Sequence, residues 1–156
     1  MPDDTGTDEA LVEVWQDPEV ALTADVVLFG ERDGELYVLM VTRRYDPFIG
    51  YRALPGGMVE ADEETIDAAH RELGEETGIS PASLTYVGVY TAPHRDPRGR
   101  YVSFVYTTRL GHLPMPTAGD DAKKAEWVLA DEALATGTEL AFDHKQIIGD
   151  ALRVVI

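Results

Sequence analysis

The sequence predicts an α/β fold in which one mixed β-sheet is covered by helices on both faces. Strand-like apolar runs and helical segments follow one another in the order strands, helix, strands and helices, which suits that architecture. The length of 156 residues favours one domain with a single core. No internal repeat, low-complexity tract or linker divides the chain. We therefore expect one domain over residues 21–156, preceded by an N-terminal segment over residues 1–20.

The individual elements are predicted from apolar runs and turn residues. Five apolar runs bounded by turn signals are the expected strands: 21–30, 35–44, 84–92, 100–110 and 125–130. Asp33 and Gly34 are a turn signal between the first two strands. Polar or glycine- and proline-rich stretches predict loops: 45–57, 93–99 and 111–121. Stretches with helical spacing of apolar residues predict three helices: 63–77, 131–135 and 142–155.

Charge and composition exclude several classes of partner. The formal net charge is −16, so the long-range field repels nucleic acid and anionic membranes, and we expect neither as a partner. No apolar run approaches the roughly 20 residues of a membrane-spanning helix, and the first residues do not resemble a secretory signal. The absence of cysteine excludes disulfides and thiolate sites. These features predict a cytoplasmic protein.

The N-terminal segment differs in composition from the rest of the chain. Residues 1–20 contain seven acidic residues and no Lys or Arg. A segment of this kind buries little apolar surface, so we expect it to be partly disordered. Trp15, its single aromatic residue, is a candidate contact with a second subunit.

The first predicted helix has recognisable ends and a core face. Asp62 is the expected N-cap, and Gly78 is the expected left-handed residue after the last turn. Ile66, Ala69 and Leu73 fall on one stripe at about 100° per residue, which predicts the buried face.

The end of this helix, RELGEETGI at residues 71–79, concentrates negative charge. Glu72, Glu75 and Glu76 are related as i, i+3 and i+4, so their carboxylates share one face within a turn. Carboxylates directed at one volume suit a hard cation such as Mg²⁺ or Mn²⁺. The alternative is a solvated acidic helix face, which is common in soluble proteins.

The residues before this stretch favour the metal site. Gly57 is followed after five residues by Glu63, and after seven more by residues 71–79. The whole pattern resembles the signature of the Nudix hydrolase family, G-x5-E-x7-R-E-U-x-E-E-x-G-U, in which U is aliphatic. A match of this kind arises by chance at roughly one start in 10⁸. The resemblance implies an α/β/α sandwich over about residues 20–155 and hydrolysis of a diphosphate linked to another group.

The resemblance also implies roles for single residues. The metal ligands are expected to be the carbonyl oxygen of Gly56 and the carboxylates of Glu72, Glu75 and Glu76. The catalytic set adds Glu63, which supports water or the other ligands, and Arg71, which orients the carboxylates. Arg71 and Glu75 also have the i, i+4 spacing of a helical ion pair. The implied cation is Mg²⁺, with Mn²⁺ as a substitute.

The motif does not identify the catalytic base, which related enzymes usually take from outside the helix. Asp120, Asp121 and Glu126 are candidates, and we select Asp121 for the catalytic set. The stretch GDDA at 119–122 is loop-like and could swing over a substrate. For each residue alone, a solvated acidic turn is an equal alternative.

The stretch PHRDPRGRYVSFVY at residues 93–106 indicates the substrate. It resembles the segment that follows the motif in ADP-ribose pyrophosphatases and in related domains that sense ADP-ribose-type ligands. Arg95 and Arg98 offer planar guanidinium groups that suit phosphate. The alternative is that they form an ion-pair network with Asp96 that braces the loop.

Further substrate contacts are expected from the loop before the motif. Arg43 and Arg52 are candidates for binding a phosphate or a ribose, although an exposed Arg at a strand end is the commoner case. Tyr45, Phe48 and Tyr51 could stack on adenine, although packing is more common for each of them. For His144, beside an apolar helix face, packing or capping is again the commoner role.

Three functions are compared. The first is Mg²⁺-dependent hydrolysis of ADP-ribose to AMP and ribose 5-phosphate. The second is hydrolysis of (d)NTPs or other nucleotide sugars. The third is a non-catalytic sensor of ADP-ribose-type ligands; such regulators carry a DNA-binding winged helix after the Nudix domain, and a chain that ends at Ile156 leaves no room for one. The resemblance to ADP-ribose hydrolases also implies a homodimer with exchanged N-terminal elements.

Overall fold

A computed structural model describes residues 19–119 and 122–156. The strands are β1 (Val20–Arg32), β2 (Glu35–Arg43), β3 (Arg52–Ala53), β4 (Gly56–Met58), β5 (Thr85–Tyr90), β6 (Arg100–Leu110) and β7 (Ala122–Leu129). The helices are α1 (Thr65–Thr77), α2 (Ala130–Leu134) and α3 (His144–Val155). The expected order of elements is confirmed, and two short strands, β3 and β4, lie in the region predicted as a loop.

β1 is the central strand of a mixed sheet. It pairs in parallel with β6, from Val20 beside Arg100 to Gly30 beside Leu110, and antiparallel with β2 and β4. The strand order is β3-β2-β1-β6-β5, and β7 pairs with β2. The pairing with β4 brings the glycines before α1 against the middle of β1, where the candidate site lies.

Helices cover both faces of the sheet, because successive side chains of β1 alternate between the faces. On one face Val26 packs in a core cluster with Leu73 of α1. On the other face Val27 packs in a cluster with Ile147 of α3. Full burial of a side chain such as Leu73 contributes roughly 1.5–3 kcal/mol. The structure is therefore the α/β/α sandwich that the sequence predicts.

The start of α1 differs from the sequence prediction. The helix begins at Thr65 with Glu64 as N-cap, so Asp62 is not the cap. Ile66 is 36% exposed, and the predicted core stripe is wrong at that position. The first turn is attached to the sheet through the hydroxyl of Thr65, which lies 2.6 Å from the hydroxyl of Tyr106, and this leaves Ile66 at the surface. At the other end, Gly78 has φ 73°, as expected.

Some sequence predictions concern residues that the structure does not describe. Residues 1–18, which include Trp15, lie outside the described ranges, and so do Asp120 and Asp121. Val20, assigned by sequence to the N-terminal segment, is the first residue of β1. In the described part of the chain, no helix is long and apolar enough to cross a membrane.

Candidate active site

The three glutamates of α1 occupy different environments. The side chain of Glu72 is 14% exposed, whereas that of Glu75 is 59% exposed. Glu76 is half-buried and accepts a hydrogen bond at Oε2 from the backbone N–H of Gly56, at 3.3 Å. The predicted acidic face therefore runs from solvent into the protein, and its inner end contacts the strand β4.

Arg71 organises the outer part of this face. Its guanidinium donates to Glu63 at 2.8 and 3.0 Å, to Glu72 at 2.8 Å and to Glu75 at 3.2 Å. It also donates to the carbonyl oxygen of Met58, at 2.9 Å. The hydrogen bonds with Glu63 are the main cause that raises the pKa of Arg71, and they lower the pKa of Glu63 in return. The predicted Arg71–Glu75 ion pair is present, and Arg71 also forms ion pairs with Glu63 and Glu72.

Two glycines allow the backbone of β4 to approach these carboxylates. A Cβ atom on Gly57 would lie 2.5 Å from Cδ of Glu72. A Cβ atom on Gly56 would lie 2.5 Å from the carbonyl oxygen of Ala24 on β1. The absence of a side chain at Gly57 therefore lets the carboxylate of Glu72 lie directly against the backbone of β4.

The residues present fit a divalent cation. The donor set consists of carboxylates and a backbone carbonyl, the hard oxygen ligands that Mg²⁺ and Mn²⁺ prefer. The glycine cradle holds Gly56, Glu72 and Glu76 close together. Over residues 19–119 and 122–156, no three acidic or histidine side chains already converge in a metal-binding group. The guanidinium of Arg71 lies among Glu63, Glu72 and Glu75 in this conformation, so the ligand set Gly56, Glu72, Glu75 and Glu76 stays a prediction.

A polar cavity of about 100 Å³ opens beside the inner end of the acidic face. Its wall includes the site residues Gly56 and Glu76. The other polar and aromatic lining residues come from β1, β2, the loop 93–99, the start of β6 and the start of α3: Thr23, Asp25, Arg43, Arg95, Asp96, Arg98, Tyr101, Phe142 and His144. A ligand in this cavity would lie directly against Glu76.

Arg43 and Arg98 are the cations best placed to bind an anion in the cavity. Arg43 donates its Nε–H to the carbonyl oxygen of Pro47 at 2.7 Å and forms no ion pair with a carboxylate of the described residues. Its guanidinium lies 4.9 Å from the ring centroid of Phe142, and that of Arg98 lies 5.7 Å from the same ring. Burial, and then the positive charge of Arg98, lower the pKa of Arg43. An anionic ligand would relieve this repulsion.

The loop arginines also have the bracing role that the sequence left open. Arg98 is paired with Asp96 at 2.7 Å, and Asp96 accepts the backbone N–H of Arg98 as well. Arg95 is paired through two hydrogen bonds, at 2.6 and 2.9 Å, with Asp143 beside α3, and its side chain is only 5% exposed. Arg95 therefore attaches the loop to α3, whereas Arg98 remains partly open to the cavity.

Arg52 lies outside the cavity wall. Its guanidinium is 3.1 Å from Glu126 and 3.6 Å from Glu132, so it connects β3 with β7 and α2. Burial alone would raise the pKa of Glu126, but hydrogen bonds from Lys124 and Arg52 lower it. Glu126 is therefore a weak candidate for the base.

The backbone before Asp120 and Asp121 is held against the end of α1. The N–H of Gly119 donates to the carbonyl oxygen of Glu76 at 2.9 Å, and the N–H of Thr117 donates to that of Thr77 at 2.8 Å. The chain thus approaches the acidic face immediately before the two aspartates. Asp121 as the base stays a prediction.

Phe48 and Tyr51 pack against other aromatic side chains, which is the commoner of the two roles considered from the sequence. The ring of Phe48 lies 5.5 Å from that of Tyr51 and 4.9 Å from that of Phe142. Phe142, which the sequence did not single out, is the cavity aromatic residue that contacts both Arg43 and Arg98. Tyr45 is exposed.

Two further cavity residues were missed or given another role. Asp25 is 8% exposed and accepts a hydrogen bond from the hydroxyl of Ser103. A carboxylate in the middle of the apolar run 21–30 was the available signal. His144 is 4% exposed and accepts the backbone N–H of Leu54 at 2.9 Å through Nδ1, so it is the packing histidine expected, but it also lines the cavity.

The buried His144 should make the stability of the fold depend on pH. Burial lowers its pKa, and the charges of Arg95 and Arg43 act in the same direction, against the opposing effect of Asp25 and Asp143. Below the unfolded-state pKa of about 6.5, the unfolded chain binds a proton that the native His144 does not bind. The free energy of unfolding should therefore fall as the pH decreases from 7 to 5, with a contribution of up to about 1.4 kcal/mol per pH unit.

Urea denaturation at several pH values measures this contribution. His144→Asn is the control, because its side-chain oxygen can still accept the N–H of Leu54 while it does not titrate. Parallel pH profiles for the wild type and this variant would show that His144 does not contribute.

Comparison with known proteins adds to this geometry. The sequence-family model of the NUDIX domain matches residues 20–150 of the chain. The chain is 43% identical over 125 residues to the ADP-ribose pyrophosphatase of Methanocaldococcus jannaschii, a match over 79% of this chain and 69% of that protein. It is 34% identical over 136 residues to the ADPR responsive transcriptional repressor NtrR of Acinetobacter baylyi, over 86% of this chain. The match spans only 54% of that repressor.

Among solved structures, the chain is similar to the NUDIX domain of Shewanella oneidensis NrtR in complex with ADP ribose. The TM-score is 0.81 at 31% sequence identity. The similarity covers 88% of this chain and 90% of that domain.

Proposed function

The chain belongs to the NUDIX family as a Nudix pyrophosphohydrolase, and we propose that its substrate is ADP-ribose, which it hydrolyses to AMP and ribose 5-phosphate. The observation that carries the proposal is the position of the cavity. Its wall contains the cations Arg43 and Arg98 together with Gly56 and Glu76 of the acidic face. A diphosphate bound by the two arginines would lie against the glutamates. The identity with an ADP-ribose pyrophosphatase supports this choice of diphosphate.

Gly56, Glu72, Glu75 and Glu76 are the residues that we propose to hold Mg²⁺, with Mn²⁺ as a substitute. When bound, such a cation neutralises diphosphate charge and makes water more acidic. The fit rests on their oxygen ligands and on the close approach of Gly57 to Glu72.

The side chains of this protein supply orientation and charge. Arg71 holds Glu63, Glu72 and Glu75 in fixed positions through its hydrogen bonds. Arg43 and Arg98 attract the diphosphate into a cavity of an otherwise strongly acidic protein. Asp121, which follows the segment held against Glu76, is the residue that we propose as the base.

Hydrolysis assays with and without EDTA test the proposal. We expect AMP release from ADP-ribose in the presence of Mg²⁺ and its loss after chelation. NTPs, NADH, dinucleoside polyphosphates and sugar nucleotides complete the panel. Fast hydrolysis of one of these without turnover of ADP-ribose would show that the substrate is wrong and would favour the second function considered from the sequence.

A second candidate is a sensor that binds ADP-ribose without turnover. It is favoured by the identity with the ADPR responsive repressor and by the similarity to the ADP ribose complex of NrtR. ADP-ribose recovered intact after incubation with Mg²⁺, together with calorimetric binding, would support the sensor. Product formation would exclude it.

Three further expectations stay predictions: the homodimer, the cytoplasmic location and the absence of a nucleic-acid partner. Sedimentation can test the homodimer.

A further inference from the structure

We propose that Asp25 and His144 form a subsite for sugar hydroxyl groups in the wall of the cavity and so select the terminal ribose of the substrate. The inference rests on the proposed function, because it assigns the part of ADP-ribose that enters the cavity. Both side chains line the cavity and both residues are more than nine-tenths buried.

Asp25 presents a fixed acceptor. Its Oδ2 accepts the hydroxyl of Ser103, which is itself fully buried. Its Oδ1 lies against Gly56, where an added Cβ atom would overlap it. One carboxylate oxygen is thus anchored and the other is held at the cavity wall, next to the proposed metal site.

His144 presents a fixed neutral donor. Its Nδ1 accepts the backbone N–H of Leu54, so the proton of the neutral ring is on Nε2. Nε2 forms no hydrogen bond with any described residue. Every fully enclosed side-chain nitrogen or oxygen of the described residues does have a hydrogen-bond partner, so Nε2 is not fully enclosed. The Nε2–H group therefore reaches the open space of the cavity.

A negatively charged acceptor beside a neutral donor matches a hydroxyl group. A hydroxyl donates to the carboxylate and accepts from Nε2–H, and carboxylates bind ribose hydroxyls in this way in dinucleotide sites. A phosphate would be repelled by Asp25 and would lie instead at Arg43 and Arg98.

The terminal ribose has more free hydroxyl groups than the adenosine ribose. Its anomeric carbon carries a hydroxyl group, whereas that of the adenosine ribose is bonded to the base. The cavity adjoins Glu76, against which the diphosphate is proposed to lie, so we assign the subsite to the ribose at the far end of that diphosphate.

Asp25→Asn and His144→Asn test the subsite with two ligands. ADP-ribose has the terminal hydroxyls, and the propyl ester of ADP keeps the diphosphate but lacks them. Each variant should raise the KM of ADP-ribose by at least about tenfold, since a buried polar partner is lost. The inhibition constant of the propyl ester should change by less than about threefold in either variant.

Two controls separate the subsite from other roles. Thr107→Val removes a buried hydroxyl from β6 outside the cavity, where it donates to Val27 at 2.7 Å, and should change neither constant. The Mg²⁺ concentration that gives half-maximal activity should be unchanged in Asp25→Asn. A rise in that concentration without a change in KM would show that Asp25 acts on the metal, and would overturn the subsite.

The outcomes distinguish the two proposals. Normal turnover of ADP-ribose by the wild type with unchanged KM in both variants would overturn the subsite alone. A wild type that neither binds nor hydrolyses ADP-ribose would overturn the proposed function and the subsite together. A wild type that binds ADP-ribose without hydrolysis, with weaker binding in both variants, would support the subsite and overturn the hydrolase.

Discussion

Glu72→Gln and Glu76→Gln should each lower kcat for ADP-ribose by at least about 100-fold, because each removes a proposed ligand of a cation that would supply several kcal/mol of transition-state stabilisation. The fold should remain intact. Both amides are nearly isosteric with the carboxylates, and in Glu76→Gln the new amide oxygen can still accept the N–H of Gly56. Removing one charge from a cluster of glutamates also reduces repulsion between like charges. The free energy of unfolding without Mg²⁺ should therefore be nearly unchanged in Glu76→Gln. Glu72→Gln also weakens the 2.8 Å ion pair with Arg71 and should be slightly less stable than the wild type.

Thermal unfolding gives a readout that does not depend on turnover. Mg²⁺ should raise Tm of the wild type, because it binds the native state, and should raise it less in the two variants. Asp67→Asn is the matched control: it removes one exposed acidic charge from the first turn of α1, and both its kcat and its Mg²⁺ response should match the wild type. Wild-type rates in both glutamine variants would show that the metal assignment is wrong.

Gly56→Ala should destabilise the protein by about 3 kcal/mol or more and abolish activity, because the added Cβ atom has no space. It would lie 2.5 Å from the carbonyl oxygen of Ala24 and 2.9 Å from Cα of Asp25. Both atoms belong to the backbone of β1, which pairs with β6 along its length. Relief would require β4 to move away from the central strand, and Gly56 would move with it from Glu76.

Gly149→Ala is the matched control for this substitution. Gly149 lies inside α3, and apart from its chain neighbours and the nearby backbone of that helix, no described atom lies within 4 Å of the position of its Cβ. The same chemical change should therefore raise the free energy of unfolding by up to about 1 kcal/mol, because alanine is the better helix former. Urea denaturation measures both variants. Equal stability of Gly56→Ala and the wild type would contradict the packing argument.

The contrast between Arg43 and Arg52 shows how far sequence reasoning reaches into the site. Both arginines lie near the same loop and were equal candidates for substrate contact. In the structure Arg43 lines the cavity, whereas Arg52 is paired with Glu126, 74 positions away. Local spacing carries no information on which strand will lie beside each arginine. For Arg95 likewise, the partner is not its neighbour Asp96 but Asp143, 48 positions away.

What the sequence determined by itself is local in the chain. The spacing of Glu72, Glu75 and Glu76 defines one helix face, and Gly78 ends the helix because its φ of 73° favours glycine. The apolar run 21–30 predicts a strand, and because successive side chains of any strand alternate in direction, Val26 and Val27 must face opposite layers. These features depend on contacts within a few residues and on backbone geometry.

Only the tertiary structure decided the composition of the cavity. Asp25 reaches Ser103 across 78 positions, and His144 reaches Leu54 across 90. Sequence reasoning assigned no function to Asp25 and a packing role to His144, because a single buried carboxylate or imidazole carries no local pattern. Their position beside Glu76 depends on the pairing of β1 with β4 and β6 and on the packing of α3 against the sheet. Such contacts between distant segments form only when the chain is folded, so they cannot be found from residue spacing.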